Sequence, residues 1–358
     1  MNTIIITAQA GVPVLLLSEP GTGKTSWVYG MAEALGRHCE VLIGSIIDPT
    51  DVGGMPMRVN GHCEFAPPGW FKRLKEDPAG GILMLDELTG CPPSVQSAML
   101  RLVAERRTHC GELPSGTMII AAANPPDQAA NGHDLAPPMA NRFAHFDWAP
   151  SVSDWVFGTL SGWPKANVPT LPEHWEATQL PKARAMVASF IRSAPTHLQS
   201  MPGTEAERSG PWPSRRTWDL AARSLAAHTA IRVAPEDSIA AIVGPAAATA
   251  FFSWLQAQDL PDPEAILSNP DAFVLPDRED KAFTVLNSVV GAVVANNNPD
   301  RYDRAWRVLA ATIKSNAADI AVVPARTLAA KPPPNLKSMP KACTAFMPVL
   351  QQAGIIGG

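Results

Sequence analysis

Short apolar runs punctuate the first half of the chain, and each ends where glycine, acid or amide begins. Leu15-Leu16-Leu17 runs into a glycine-punctuated loop, Ile82-Leu83-Met84-Leu85 ends in Asp86-Glu87, and Thr117-Met118-Ile119-Ile120-Ala121-Ala122-Ala123 ends in Asn124-Pro125-Pro126. Val41-Leu42-Ile43 is a fourth. Uninterrupted runs of this length suit strands buried on both faces of a parallel sheet. The stretch from Ile4-Ile5-Ile6 to Leu17 reads as core strand as well. Between the runs, Ser26 to Leu35, closed by Gly36, and Ser94 to Glu105, with Val95, Met99, Leu100, Leu102 and Val103 on one face, carry helical periodicity. Asp48-Pro49-Thr50-Asp51 reads as a turn. Asn60-Gly61 between Met57-Arg58-Val59 and His62-Cys63-Glu64-Phe65 is a hairpin signal, because both turn residues tolerate positive φ.

Further along the pattern turns helical. Ser151 to Pro172, rich in Pro, Gly and Trp, reads as a linker. Ala183 to Arg192, Thr217 to Ala227 and Ser238 to Leu255, with a Gly244-Pro245 break, follow as helices. Asp277 to Ala295 and Tyr302 to Lys314 form a last helical group, in which Trp306, Leu309 and Ile313 read as core. The division is therefore an α/β domain over 1–152, a parallel sheet sandwiched by helices, then a helical domain over 153–258 and a helical extension over 259–358.

The loop Ser18-Glu19-Pro20-Gly21-Thr22-Gly23-Lys24-Thr25-Ser26 has the composition of a phosphate cradle. Gly21 and Gly23 let the backbone curl so that successive N–H groups point inward, and the helix that follows adds its positive end. Lys24 would reach the β- and γ-phosphates, and the Thr25 hydroxyl would bind Mg²⁺. The pattern G-x-x-x-x-G-K-[ST] places glycine where this chain has Ser18. Asp86, at the carboxyl end of its strand, would hold the Mg²⁺ shell beside that loop, and Glu87 would orient or deprotonate water. Asn124 offers an uncharged amide to the γ-phosphate. Strand-loop-helix, strand-Asp-Glu and strand-Asn-Pro in this order describe one site on the carboxyl edge of one P-loop NTPase sheet.

Composition narrows the partners. Charged residues make up 17% of the 358, hydrophobic ones 46%, and the net charge is −4. No Lys/Arg block supplies the footprint of a nucleic-acid groove, which argues against a DNA-directed motor. The uncharged run from Ser238 to Leu255 contains Gly244, Pro245, Thr249 and Ser253, and reads as a buried helix rather than a membrane span. The N-terminal apolar stretch lacks the basic start of a signal peptide. Cys39, Cys63, Cys91, Cys110 and Cys343 form no C-x-x-C pair, so reduced thiols and a cytoplasmic location are expected. The dipeptides His38-Cys39, His62-Cys63 and His109-Cys110 lack the short spacing of structural zinc sites.

With these residues in view the chain resembles the AAA+ ATPases, and among them the MoxR group. Phe65-Ala66-Pro67-Pro68-Gly69-Trp70-Phe71, Leu83 to Leu88 and Pro92 to Leu100 look like the MoxR stretch around Walker B. Asn141-Arg142-Phe143 is similar to the family's Asp-Arg-Phe, with Asn141 in place of the acid, and Trp212-Pro213-Ser214-Arg215-Arg216-Thr217-Trp218 resembles its lid motif. The resemblance, over roughly residues 10 to 257, implies Arg142 as a finger reaching a neighbouring subunit's nucleotide and Arg216 as a sensor contacting the phosphates of its own chain. It implies ATP and Mg²⁺ as cofactors, a hexameric ring, and chaperone-like remodelling of a partner complex, often with a von Willebrand factor A domain protein. The hairpin around Asn60-Gly61 falls where the family carries its helix-2 insertion; a pore-facing or partner-facing role and a plain surface hairpin both remain open. Arg106 to Ser115 would be a shortened pre-sensor 1 loop. MoxR proteins carry a helix upstream that closes over the base, for which about seventeen residues are present here, implying a later start than the natural one or a neighbour that covers the base. A nucleotide-gated scaffold with little turnover is the alternative, and Glu87 with Asn124 argues against it.

Overall fold

A computed structural model describes residues 1–125, 128, 132, 134–161, 168–258, 260–315 and 317–347. Contacts divide the chain into two compact units, Met1–Leu171 with Gln199–Ser224 and Val233–Ala247, and Pro172–Leu198 with Leu225–Arg232 and Ala248–Gly358. The segments 199–224 and 233–247, expected in a separate helical domain, thus pack in the same unit as the sheet.

The first unit is built on the apolar runs. Strands β1 (Val14–Leu17), β2 (Cys39–Ile43), β5 (Ile82–Asp86), β8 (Met118–Ala123) and β9 (Ala144–Asp147) form one sheet in the order β2-β5-β8-β1-β9. Every pairing is parallel. Leu15, Leu16, Ile82 to Leu85 and Met118 to Ala123 are essentially inaccessible, as strands covered on both faces must be. Helix α2 (Lys24–Leu35) leaves the loop after β1 at Gly23, φ 83°, and stops at Gly36, φ 63°, a left-handed cap that suits glycine. Strands β3 (Met55–Val59) and β4 (His62–Ala66) make the expected hairpin about Asn60-Gly61. Helix α5 (Pro93–Glu105) buries Val95, Met99, Leu102 and Val103.

Four segments differ from the sequence reading. Ile4, Ile5 and Ile6 are buried in a helix, α1 (Asn2–Gln9), not in a strand. Three adjacent isoleucines suit either element when every side is covered, and periodicity does not separate the two. Asp48 to Asp51 begins a short helix, α3 (Pro49–Gly53), rather than a turn, because Pro49 stands at its first position and the Asp48 N–H donates to Asp51 Oδ2 at 2.9 Å. Within Arg106 to Ser115 lies a small hairpin of β6 (Arg107–Thr108) and β7 (Gly111–Glu112), whose His109 stacks on Phe65 of β4 at 4.5 Å. Part of the expected linker is a helix, α7 (Val152–Ser161), capped by the Ser151 hydroxyl, which accepts from the Asp154 N–H at 3.0 Å. Trp155, Phe157 and Leu160 of α7 are exposed. Residues 162–167 of that linker, like Pro126, lie outside the described residues.

His145 on β9 is buried, and its Nε2 lies 2.9 Å from the Ala140 carbonyl. Burial pushes its pKa down to about 4, against smaller upward pulls from that carbonyl and from Asp147. The unfolded chain, with an ordinary histidine near 6.5, binds the proton first as the pH falls. Stability from this group is therefore full above about pH 6.5 and declines by roughly 3 kcal/mol as the pH falls to about 4. We expect the wild type to lose melting temperature between pH 7 and pH 5 in calorimetry, and His145→Gln to flatten that loss.

In the second unit, α8 (Trp175–Ser193) starts eight residues before the expected Ala183 and passes through Pro181. Helix α11 (Glu236–Val243) belongs to the first unit, and the break between it and α12 (Pro245–Gln258) falls at Gly244 as expected; α10 (Arg215–Ala230) precedes them. Helix α14 (Glu279–Ala295) packs along α8 within the second unit, where Gly291 lets its backbone approach Pro181 and Lys182. Trp306 and Leu309 of α15 (Pro299–Lys314) are core residues, whereas Ile313 is 39% exposed, contrary to the reading that grouped it with them. No helix among the described residues is long and apolar enough to cross a membrane.

Candidate functional site

Because β1 lies beside β8, and β8 beside β5, the loop after β1, the amide after β8 and the acids ending β5 share one edge. Side chains close the gaps. Lys24 Nζ donates to Asn124 Oδ1 at 2.8 Å, to Ser18 Oγ at 2.8 Å, and to the carbonyls of Ser18 and Glu19 at 3.0 Å. Thr25 Oγ1 donates to Asp86 Oδ2 at 2.7 Å. The other Asp86 oxygen accepts the Glu87 N–H at 2.9 Å. Gly21 and Gly23 carry φ of 79° and 83°, so the loop's curl depends on residues without Cβ. Glu19 contributes its carbonyl, Pro20 the turn, and Ser26 stands exposed in the first turn of α2.

Burial lowers the Lys24 pKa, while nearby Asp86 acts to raise it. Asp86 is half-buried. Glu87 is exposed and sits at φ 55°, the left-handed region that few non-glycine residues occupy and that recurs at functional positions. Its Oε2 accepts a short hydrogen bond from the Ser45 hydroxyl. A hydroxyl and a carboxylate held 2.7 Å apart are hard oxygen donors of the kind Mg²⁺ prefers, so Thr25 and Asp86 fit that ion.

Three contributors were not read from the sequence. Ser18, the departure from glycine, accepts from Lys24 and pairs with Thr22 Oγ1 at 2.6 Å, tying the start of the loop to its tip. Ser45 holds Glu87, and Thr89 Oγ1 donates to the Asn124 carbonyl at 2.8 Å. The Ser45 and Thr89 contacts join segments distant along the chain, so no local motif announces them.

The two arginines stand apart from this edge. Ala144 pairs with Val14 and Asp147 with Leu17, so Arg142, ahead of β9, lies at the amino edge, with roughly 10 Å of strand between it and the start of the loop. Its Nη1 donates a short hydrogen bond to the Pro138 carbonyl, and its buried Nε has no partner among the described residues. Burial, then the charge of Arg216, lowers its pKa. Arg216 is exposed and near enough to Arg142 for its charge to bear on that guanidinium. Asn141 fixes this arrangement. Its Nδ2 donates to the Trp212 carbonyl at 3.1 Å and its Oδ1 accepts from Ser214 Oγ at 2.6 Å, which ties Arg142 to the start of α10 and Arg216. An aspartate would keep the second bond and set a negative oxygen against the Trp212 carbonyl, so the amide suits this site.

Residues 13–143 match the family model described as the AAA domain (dynein-related subfamily). The matched segment starts just before β1, ends just before β9 and includes the whole edge described above, so the edge lies in the part of the chain that is similar to AAA domains. Among solved structures, a candidate ATPase from Cytophaga hutchinsonii is similar at 18% identity and a TM-score of 0.43, over 67% of this chain and 78% of that one.

Proposed function

We propose that this chain is a MoxR-like AAA+ ATP hydrolase that acts as an oligomeric ring in the cytoplasm. The observation that carries the reading is the convergence of Lys24, Thr25, Asp86 and Asn124 within hydrogen-bond distance on one sheet edge, with Glu87 beside them. The loop amides and Lys24 bind the phosphates. Mg²⁺, held by Thr25 and Asp86, neutralises phosphate charge when bound. Glu87 takes the proton of the attacking water, and Asn124 holds the γ-phosphate by its amide.

Arg142 serves a neighbouring copy, since its own loop is at the opposite edge. The position of Arg216 beside it favours the same assignment for that residue. A hexamer, remodelling of a partner complex and cooperation with a von Willebrand factor A domain protein are what the MoxR resemblance adds. In that scheme residues 1–152 are the catalytic core, 153–258 the lid and 259–358 an extension. The β3–β4 hairpin, with Met55 and Met57 exposed, offers a soft apolar surface for a partner.

The test is calorimetric titration with Mg·ATP alongside a phosphate-release assay. Wild type is expected to bind and turn over ATP, and Lys24→Ala to lose at least about tenfold in affinity, the value of one charge-assisted phosphate contact. Absence of ATP binding by the wild type would end this reading.

A further inference from the structure

Beside the phosphate loop, on the side away from Asp86 and Asn124, lies a pair of indoles. Trp148 follows β9, one residue past the Asp147–Leu17 pair, and its Nε1 donates to the carbonyl of Thr22 in the loop at 3.0 Å. Trp27 packs on it with ring centroids 4.8 Å apart. Trp148 is buried, whereas Trp27 keeps part of its surface open.

Helix geometry explains the placement. Trp27 lies two residues beyond Thr25, about 200° round the axis of α2, so Thr25 turns to Asp86 while Trp27 turns to the opposite side. The sheet order says the same thing: β8 and β5 flank β1 on one side, β9 on the other. Asp86, Glu87 and Asn124 mark where the last phosphate of a triphosphate sits, so the chain of phosphates must leave the loop in the other direction, over β9. A flat base at its far end would lie on the side of Trp27.

We propose that Trp27, braced by Trp148, is the stacking platform for the base of the bound nucleotide. The inference rests on the nucleotide-binding reading above and adds the residue that recognises the non-phosphate end. Stacking contacts an aromatic face, so the ligand class is a nucleoside phosphate, and the gain comes from the base alone. Trp148 has a different part. Its N–H holds the loop carbonyl, which fixes both the indole and the loop.

The experiment compares Mg·ATP with inorganic tripolyphosphate, which lacks a base, by titration calorimetry on wild type, Trp27→Ala and Trp27→Phe. Trp27→Ala is expected to weaken ATP binding about tenfold, within the range that alanine substitution gives for base stacking, and to leave tripolyphosphate affinity unchanged. Trp27→Phe, which keeps an aromatic face, is expected to recover most of the ATP affinity. Unchanged tripolyphosphate binding also reports that the variant is folded. Equal losses for both ligands, or ATP affinity untouched by Trp27→Ala, would overturn the platform while leaving the nucleotide site standing. Wild type that binds neither ligand would remove both.

Discussion

Glu87→Gln is expected to lower phosphate release by about 10² to 10⁴, the usual contribution of a positioned general base, while Mg·ATP still binds. The substitution keeps the size of the side chain and an oxygen for the Ser45 hydroxyl, but removes the atom that takes the proton. Lys24, Thr25 and Asp86, which hold the phosphates and suit the metal, are untouched. Single-turnover phosphate release with titration calorimetry on the same preparation separates the two effects. Equal slow rates in wild type and variant would remove Glu87 from the chemistry and favour a nucleotide-gated scaffold.

The carboxyl edge was legible because its determinants are local. A strand followed by Gly21-Thr22-Gly23-Lys24-Thr25 needs left-handed backbone at two glycines, and the structure has it at both. Buried runs ending in Asp86 and Asn124 align once the sheet is parallel, since every strand then presents the same end. Ile4 to Ile6 misled because a fully covered segment has no polar face to reveal its period. The helix α7 was obscured for another reason: proline, glycine and tryptophan outweighed Ser151 and Asp154, the residues that cap it.

Long-range pairing was beyond any local pattern. Asn141 looks like a weakened copy of an acid when only its neighbours Arg142 and Phe143 are considered. Against Trp212 and Ser214 it is an amide with both ends in use. The same contact carries Arg216 toward Arg142, which no spacing in the sequence specifies. The sheet register then decides what the pair can serve, because both ends of β9 are fixed against β1.

Arg142→Ala is therefore expected to lower turnover by about 10³ or more, the range over which an arginine supplied from outside a phosphoryl-transfer site acts, with little change in ATP affinity. A guanidinium that lies at the amino edge, with a buried Nε lacking a partner among the described residues and a second arginine close by, is poorly satisfied by them. An anion brought by another copy would relieve both conditions. Mixing gives the decisive readout. A Lys24→Ala copy has no working phosphate loop but keeps Arg142, and an Arg142→Ala copy has the loop but lacks the finger. Each alone should be nearly silent, and a mixture should recover activity at junctions where an intact loop meets an intact arginine. Recovery requires that the arginine cross between copies, whereas an arginine acting on its own chain's nucleotide predicts a mixture as silent as its components.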